Sequence, residues 1–148
     1  FKMNKVILFL YILFSLPLML IASEKRGSIE IEIRDLKNQQ GVVRIALYSS
    51  EDGFPDEPEK ATLLESVEIS KRPLSVSFKD ITYGYHAIAI FHDENANGEF
   101  DMTWYFKPLE GYGISNMSEP KIGPPKFKKA KFELNSAQMK LPVKILYH

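Results

Sequence analysis

The sequence predicts an all-β protein: a two-sheet antiparallel sandwich of immunoglobulin-like or transthyretin-like type with about seven strands, preceded by a signal-peptide helix. Two observations predict this class. Short segments alternate between apolar and polar residues, as strands with one buried face do, and glycine or proline residues separate these segments. After the apolar start of the chain, no stretch has the spacing of a convincing amphipathic helix. We therefore expect two packed sheets around one hydrophobic core.

The start of the chain has the three-part layout of a secretory signal peptide. Two lysines supply a positive start, residues 6–21 form an apolar run, and small residues then precede a charged segment. The predicted domains are a signal peptide over residues 1–23 and a single β-sandwich domain over residues 24–148. The domain is expected to be exported, either to the periplasm or into the medium.

The alternative is a leader that stays in the membrane as an anchor. A bilayer-spanning helix needs about 20 consecutive apolar residues, and the run here is shorter. Pro17 also interrupts the late part of the run, where a helix would lose a hydrogen bond. The sequence therefore favours cleavage after Ala22 or Ser23, with membrane contact only through the signal peptide before its removal.

Charge and cysteine content exclude several classes of function. Lys2 and Lys5 leave with the leader, so the 19 basic side chains fall to 17 while all 19 acidic ones remain, a net charge of −2. Nucleic-acid binding needs a basic excess, and no nucleic-acid partner is predicted. The chain has no cysteine, which excludes disulfides, thiolate metal sites and a cysteine nucleophile.

The strand predictions follow the alternation along the chain. Isoleucines at every second position predict a half-buried first strand, and a turn at residues 38–41 predicts a hairpin with the second. Residues 85–92 are almost continuously apolar, which is typical of a central strand covered on both faces. The predicted strands are residues 28–34, 43–47, 63–69, 74–78, 85–92, 127–134 and 140–147.

Two segments are predicted to lie outside the strands. Residues 51–60 contain two prolines, one glycine and five acidic residues, which is the composition of an exposed loop. The longest segment without a regular pattern covers residues 93–126. Loops of this length are uncommon in a compact domain unless they carry a function, so the candidate site is sought in this second segment.

Residues 93–101 place oxygen-bearing side chains at the spacing of a calcium-binding loop. Aspartate or asparagine occupies positions one, three, five and nine, and a glycine stands at position six, where the backbone must turn sharply. The residue at position seven would add its backbone carbonyl. The sequence thus predicts a candidate metal site, with calcium as the cofactor and Asp93, Asn95, Asn97, Glu99 and Asp101 as ligands.

The site is not an EF-hand, and a second interpretation stays open. Position twelve, which supplies a bidentate glutamate in an EF-hand, is Trp104, and neither flank has a helical pattern. One interpretation is a lone calcium loop on a β scaffold, with Glu110 as a distant ligand. The other is a metal-free turn in which the Asp and Asn side chains bond nearby backbone N–H groups.

Longer motifs in the second half of the chain resemble those of a known family. They are GYHAIAI (84–90), HDENANGEFD (92–101), PLEGYGISN (108–116), GPPKF (123–127) and AKF (130–132). Together they resemble the signature of an uncharacterised bacterial exported family, DUF2141. The chain departs from it at Thr103 and Phe106, where the family tends to have Asn and Gly. The resemblance implies a secreted or periplasmic β-sandwich with no established activity.

A small periplasmic hydrolase is the alternative function. His92 stands at the end of a predicted strand, and with Asp93 or Glu110 as its partner it would be a candidate general base. No nucleophile accompanies it, because Ser115 lacks the second glycine of a nucleophile elbow. We therefore predict no enzymatic activity and no catalytic residues, and we expect His92 to be a hydrogen-bonded structural histidine.

Five aromatic rings lie near the acidic segment in sequence: Trp104, Tyr105, Phe106, Tyr112 and Phe127. Such rings on an exported β-sandwich can stack on a sugar or grip a peptide, but we expect them to pack beneath the loop as a small separate core. The predicted function is an exported, non-enzymatic binding or structural module of the cell envelope. Its expected partner is an unidentified protein or glycan.

Overall fold

The computed structural model describes residues 23–119 and 123–148. Within them the chain forms eight strands, one 3-10 turn over Pro58–Lys60 and one turn of α-helix over Phe127–Ala130, and no helix has the length and apolar content to cross a bilayer. The predicted signal-peptide helix lies outside the described residues. The strands are β1 (Arg26–Arg34), β2 (Val42–Tyr48), β3 (Leu63–Glu68), β4 (Leu74–Thr82), β5 (Gly84–Asp93), β6 (Gly111–Ile114), β7 (Phe132–Leu134) and β8 (Gln138–Lys144).

The strands form two sheets, and the predicted all-β sandwich is confirmed. One sheet has the order β4-β1-β8, and the other has the order β3-β2-β5-β6, with β7 also paired to β5. The strand pairs in the described part of the chain are antiparallel except β1 with β8. That pair runs parallel over seven residues of each strand, from Ser28 opposite Gln138 to Arg34 opposite Lys144.

The hydrophobic core lies between the sheets. Because successive side chains of a strand point to opposite faces, alternate residues of β1 and β2 are buried. They are Ile29, Ile31, Ile33, Val43, Ile45 and Leu47. Burying one such side chain stabilises the fold by about 1.5–3 kcal/mol, so a core of this kind can replace the disulfides that the chain lacks. The predicted strands at residues 63–69, 74–78, 85–92 and 140–147 correspond to β3, β4, β5 and β8.

The predicted hairpin between the first two strands is wrong. β1 pairs with β4 and β8, whereas β2 pairs with β3 and β5 in the other sheet. Residues 35–41 carry the chain from one sheet to the other, with left-handed backbone at Asp35 and Gly41 and with Leu36 buried. The physical reason is that each strand has one apolar face. Two such faces bury more apolar surface when they meet across a core than when the strands lie side by side.

Two further segments differ from their predictions. Residues 127–134, predicted as one strand, begin with a helical turn, and only Phe132–Leu134 is a strand. Residues 111–114 lie in the segment without a regular pattern, yet they form β6 beside β5. Glycines weaken the strand signal there, because glycine is depleted in strands. A Cβ at either glycine of β6 would press on the side chain of Ile145, so the packing requires them.

Candidate functional site: the loop between β5 and β6

The β5–β6 loop, residues 94–110, connects two neighbouring antiparallel strands. It follows Asp93, the last residue of β5, and its own last residue is Glu110. Both of these acidic residues are buried. The loop consists of a polar half, residues 94–100, and a hairpin over residues 101–110, which we call the aromatic hairpin.

Asp93 anchors the polar half of the loop. Its carboxylate accepts a hydrogen bond from Arg44 Nε at 2.7 Å and from the backbone N–H groups of Asn97 and Gly98 at 3.1 and 2.9 Å. Burial raises the pKa of Asp93, but these donors and the charge of Arg44 lower it more, so the pKa lies below its ordinary value. The charged form of Asp93 is therefore the form that holds the loop.

The other predicted ligands bond to one another. Asn95 Nδ2 donates to Asp101 Oδ2 at 2.8 Å, and Asn97 Nδ2 donates to both Asp101 oxygens at 3.1 and 3.2 Å. The backbone N–H of Asn97 donates to Asn95 Oδ1 at 3.0 Å, and that of Glu99 donates to Asn97 Oδ1 at 2.8 Å. The structure thus brings the predicted side-chain ligands into one hydrogen-bonded turn, which Glu99 joins through its backbone.

This geometry corresponds to the metal-free interpretation of the turn. Within residues 23–119 and 123–148, no three His, Asp or Glu side chains converge in a way that could hold a metal ion. The amide N–H groups of Asn95 and Asn97, rather than their oxygens, face Asp101. Calcium takes oxygen ligands, so its binding would require both amides to turn.

Glu110 fixes the loop from its other end. Its two carboxylate oxygens accept hydrogen bonds from the backbone N–H groups of Glu94 and Asp101, each at 3.2 Å. Burial raises the pKa of Glu110, and the negative charges of Asp101 and Asp93 raise it further against these hydrogen bonds. One buried carboxylate thus joins the beginning of the loop to the beginning of the aromatic hairpin.

The residues considered for catalysis are buried in the fold. His92 Nε2 lies 2.7 Å from the Gln40 carbonyl, which only accepts, so Nε2 donates there, and Nδ1 lies 2.7 Å from the Tyr147 hydroxyl. The hydroxyl of Ser115 accepts a backbone N–H of β5 at 2.9 Å and donates to the Ala130 carbonyl at 2.7 Å. The expectation that His92 is a hydrogen-bonded structural histidine agrees with this geometry.

The aromatic hairpin is closed by its own backbone. The N–H of Thr103 donates to the Lys107 carbonyl at 2.8 Å, and the N–H of Phe106 donates to the Thr103 carbonyl at 3.0 Å. Lower in the hairpin, the N–H of Leu109 donates to the Asp101 carbonyl at 3.0 Å. Phe106, at the tip, has a left-handed φ of 60°, a region that residues other than glycine rarely occupy.

The large apolar side chains of the aromatic hairpin point into solvent. Trp104 is 90% exposed and Phe106 is 85% exposed, and Met102, Tyr105 and Leu109 are also exposed. The prediction that the aromatic residues form a core beneath the loop is therefore wrong for residues 104–106. In the described part of the chain, more than half of each of these three residues remains exposed.

A different set of rings lies beneath the polar half. Phe100 packs between Phe91 of β5 and Tyr112 of β6, with ring centroids 5.5 and 6.1 Å apart. Phe127 packs against Phe54 at 5.8 Å, and both Phe127 and Tyr112 pack against a small buried cluster around Ile114. The two rings that sequence reasoning missed, Phe91 and Phe100, bind the loop to the sheet.

Comparison with known proteins identifies the family of the chain. A sequence model of a family described as an uncharacterised protein conserved in bacteria, DUF2141, matches residues 31–141. No curated protein and no solved structure matches the chain. The family match covers more than half of the sequence and includes β2 to β7, the β5–β6 loop and parts of β1 and β8, so this chain belongs to the DUF2141 family.

Proposed function

We propose that this chain is an exported, non-enzymatic binding module of the cell envelope, with the aromatic hairpin as its contact surface. The observation that carries the proposal is the exposure of Trp104 and Phe106 at the tip of a hairpin whose backbone is closed. Exposed apolar clusters commonly mark interaction sites, because nothing in the fold gains from them. The envelope location rests on the signal-peptide pattern of residues 1–23.

The polar half of the loop supports this proposal, because it gives the aromatic hairpin a fixed base. Asp93 holds the backbone of the turn, and Glu110 ties residues on both sides of it. A contact surface that is already ordered loses little conformational freedom on binding, which favours affinity.

The hydrolase alternative gains nothing from the same residues. A general base needs a ring nitrogen that can reach a substrate, and both nitrogens of His92 are hydrogen-bonded inside the fold. Its proposed partners are engaged as well: Asp93 with Arg44, and Glu110 with two backbone N–H groups.

Binding to a bacterial envelope fraction tests the proposed function. The fragment used is residues 24–148, which contains both sheets and the described core. It is mixed with the envelope fraction and centrifuged, and the fraction of the protein that sediments with the envelope is measured. The double variant Trp104→Ser, Phe106→Gly is expected to lose most of the binding. Leu64→Ser removes a 54% exposed leucine of β3 and is expected to bind like the wild type. Equal binding of the two variants would contradict the proposal.

Calcium is the proposed cofactor of the polar half, with the side chains of Asp93, Asn95, Asn97 and Asp101 and the carbonyl of Glu99 as ligands. One observation supports it. The four side chains lie within a single tight turn, where a rotation of the Asn95 and Asn97 amides would bring their oxygens towards the Asp101 carboxylate.

Thermal melting with calcium and with a chelator tests the cofactor. A ligand at 100 times its dissociation constant stabilises by about 2.7 kcal/mol, which raises the melting temperature of a domain of this size by roughly 10 °C. Asp101→Asn is expected to reduce the shift, whereas Glu65→Gln, on an exposed position of β3, is expected to leave it unchanged. Identical melting of the wild type in both buffers would identify a metal-free turn and would leave the binding module without a cofactor.

A further inference from the structure

We infer that the partner of the aromatic hairpin is a phospholipid bilayer, and that the hairpin inserts its tip into the interfacial layer of the membrane. This inference rests on the proposed function and names its partner. It adds a membrane contact by the folded domain, whereas the sequence predicted contact through the signal peptide alone. Four features of the hairpin favour lipid over a protein or glycan.

The first feature is an apolar tip that the fold does not require. Trp104, Phe106 and Leu109 are 90%, 85% and 61% exposed, so their side chains contribute little to the core. Phe106 also has left-handed backbone, which a side chain disfavours and a glycine would adopt freely. Exposure and backbone strain both act against a phenylalanine at this position, and burial outside the protein would offset them.

The second feature is a backbone that is already hydrogen-bonded. Thr103 and Lys107 close the hairpin with an N–H to carbonyl bond of 2.8 Å, and the Thr103 hydroxyl accepts the Lys107 N–H at 3.0 Å. The N–H of Phe106 is bonded to the Thr103 carbonyl as well. A segment that leaves water must satisfy its polar backbone groups internally, and these bonds meet part of that condition, for the N–H groups of Thr103, Phe106 and Lys107.

The third feature is the distribution of charge. Between Met102 and Leu109 the single charged side chain is Lys107, and the acidic residues stand below it at the base of the hairpin. A lysine has a long apolar stem that can lie along lipid chains while its ammonium group reaches the phosphate layer. Tryptophan and tyrosine are the side chains enriched at this depth of a membrane.

The fourth feature is the shape of the tip. The rings of Trp104 and Tyr105 are nearly perpendicular, with an interplanar angle of 83° and centroids 5.2 Å apart. Two perpendicular rings do not form one continuous flat platform for a sugar chain. Rings in different orientations can each insert into a lipid layer, because lipid adapts to the shape that enters it.

Trp104 is the only tryptophan of the chain, so its fluorescence reports on the hairpin alone. Residues 24–148 are titrated with vesicles of phosphatidylethanolamine and phosphatidylglycerol, and emission and acrylamide quenching are recorded. We expect a blue shift and protection from the quencher. Phe106→Gly removes the ring and suits the left-handed backbone, so it is expected to weaken partitioning about tenfold without lowering the melting temperature. Leu64→Ser is expected to partition like the wild type.

The outcomes separate this inference from the proposed function. No blue shift with vesicles, or equal partitioning of Phe106→Gly and the wild type, overturns the lipid inference. If the same variant then loses binding to isolated peptidoglycan or to envelope proteins, the partner is a glycan or a protein and the proposed function survives. If the double variant Trp104→Ser, Phe106→Gly binds every envelope component like the wild type, both proposals fail.

Discussion

The ion pair between Arg44 and Asp93 joins β2 to the end of β5, and Arg44→Met tests how much stability depends on it. The two atoms of the pair, Arg44 Nε and Asp93 Oδ2, lie 2.7 Å apart. Methionine keeps much of the apolar stem and removes the guanidinium. Asp93 would then remain fully buried, with the backbone N–H groups of Asn97 and Gly98 as its donors.

The expected loss follows from the burial of the two partners. Removing one partner of a fully buried ion pair costs about 3–5 kcal/mol. The Arg44 side chain is 33% exposed, and two donors to Asp93 stay in place, so we expect a smaller loss of about 2 kcal/mol. For a domain of this size that loss lowers the melting temperature by roughly 8 °C.

The loss is also expected to depend on pH. The pKa of Asp93 in the folded protein lies below its ordinary value, so the pair stabilises the protein above the unfolded pKa of about 3.9. This contribution disappears as the pH falls through the folded pKa, because protonation removes the charge that Arg44 satisfies. The stability difference between Arg44→Met and the wild type should therefore be largest near neutral pH and shrink in strong acid.

Urea unfolding followed by far-ultraviolet circular dichroism measures these values. Tryptophan fluorescence is unsuitable, because Trp104 is exposed in the folded state already. Arg34→Met is the matched control, since Arg34 pairs with Glu32 on the exposed side of β1 and should contribute less than about 0.5 kcal/mol. If Arg44→Met unfolds at the same urea concentration as this control, or if its deficit does not change with pH, the role given to the pair is wrong.

Two further substitutions test the structure around the loop. Gly41→Ala would place a Cβ on a residue with left-handed backbone, where it would overlap the backbone carbonyl of Asp93. We expect the free energy of unfolding, measured with urea, to fall by more than about 3 kcal/mol. A variant of wild-type stability would contradict the close approach of Gly41 to Asp93. Ser115→Ala would leave the Ile88 N–H and the Ala130 carbonyl without their hydroxyl partner, and about 2 kcal/mol should be lost in thermal melting. A melting temperature unchanged by that substitution would mean that backbone rearrangement or water replaces the bonds.

Strand positions could be predicted because burial in a sheet leaves a local signal. Ile29, Ile31 and Ile33 alternate with polar residues, and no other part of the chain is needed to interpret them. Strand pairing left no such signal. β1 and β2 are consecutive and separated by a turn-like segment, yet they lie in different sheets, and β8, from the end of the chain, runs parallel to β1. Pairing depends on which faces meet across the core, which local alternation does not encode.

In the candidate site too, contacts between residues close in sequence could be predicted, whereas contacts between distant residues could not. The turn around Asp93, Asn95 and Asn97 was predicted from spacing, because its hydrogen bonds join residues close in sequence. Arg44 was missed, because the only charged residue of β2 carries no local sign of its partner. It reaches Asp93 only through the β2–β5 register, which places it opposite Phe91, two residues before the aspartate.

The two halves of the β5–β6 loop depend on each other. Without a fixed base, exposed rings such as Trp104 and Phe106 would gain by folding back onto apolar surface of the domain. Glu110 opposes this collapse, because turning the hairpin back would break its hydrogen bond to the Asp101 backbone and remove one of the two backbone donors of a buried carboxylate, while Asp93 holds the polar half that carries the hairpin. The buried acids therefore keep the apolar tip in solvent, where it is available to a partner.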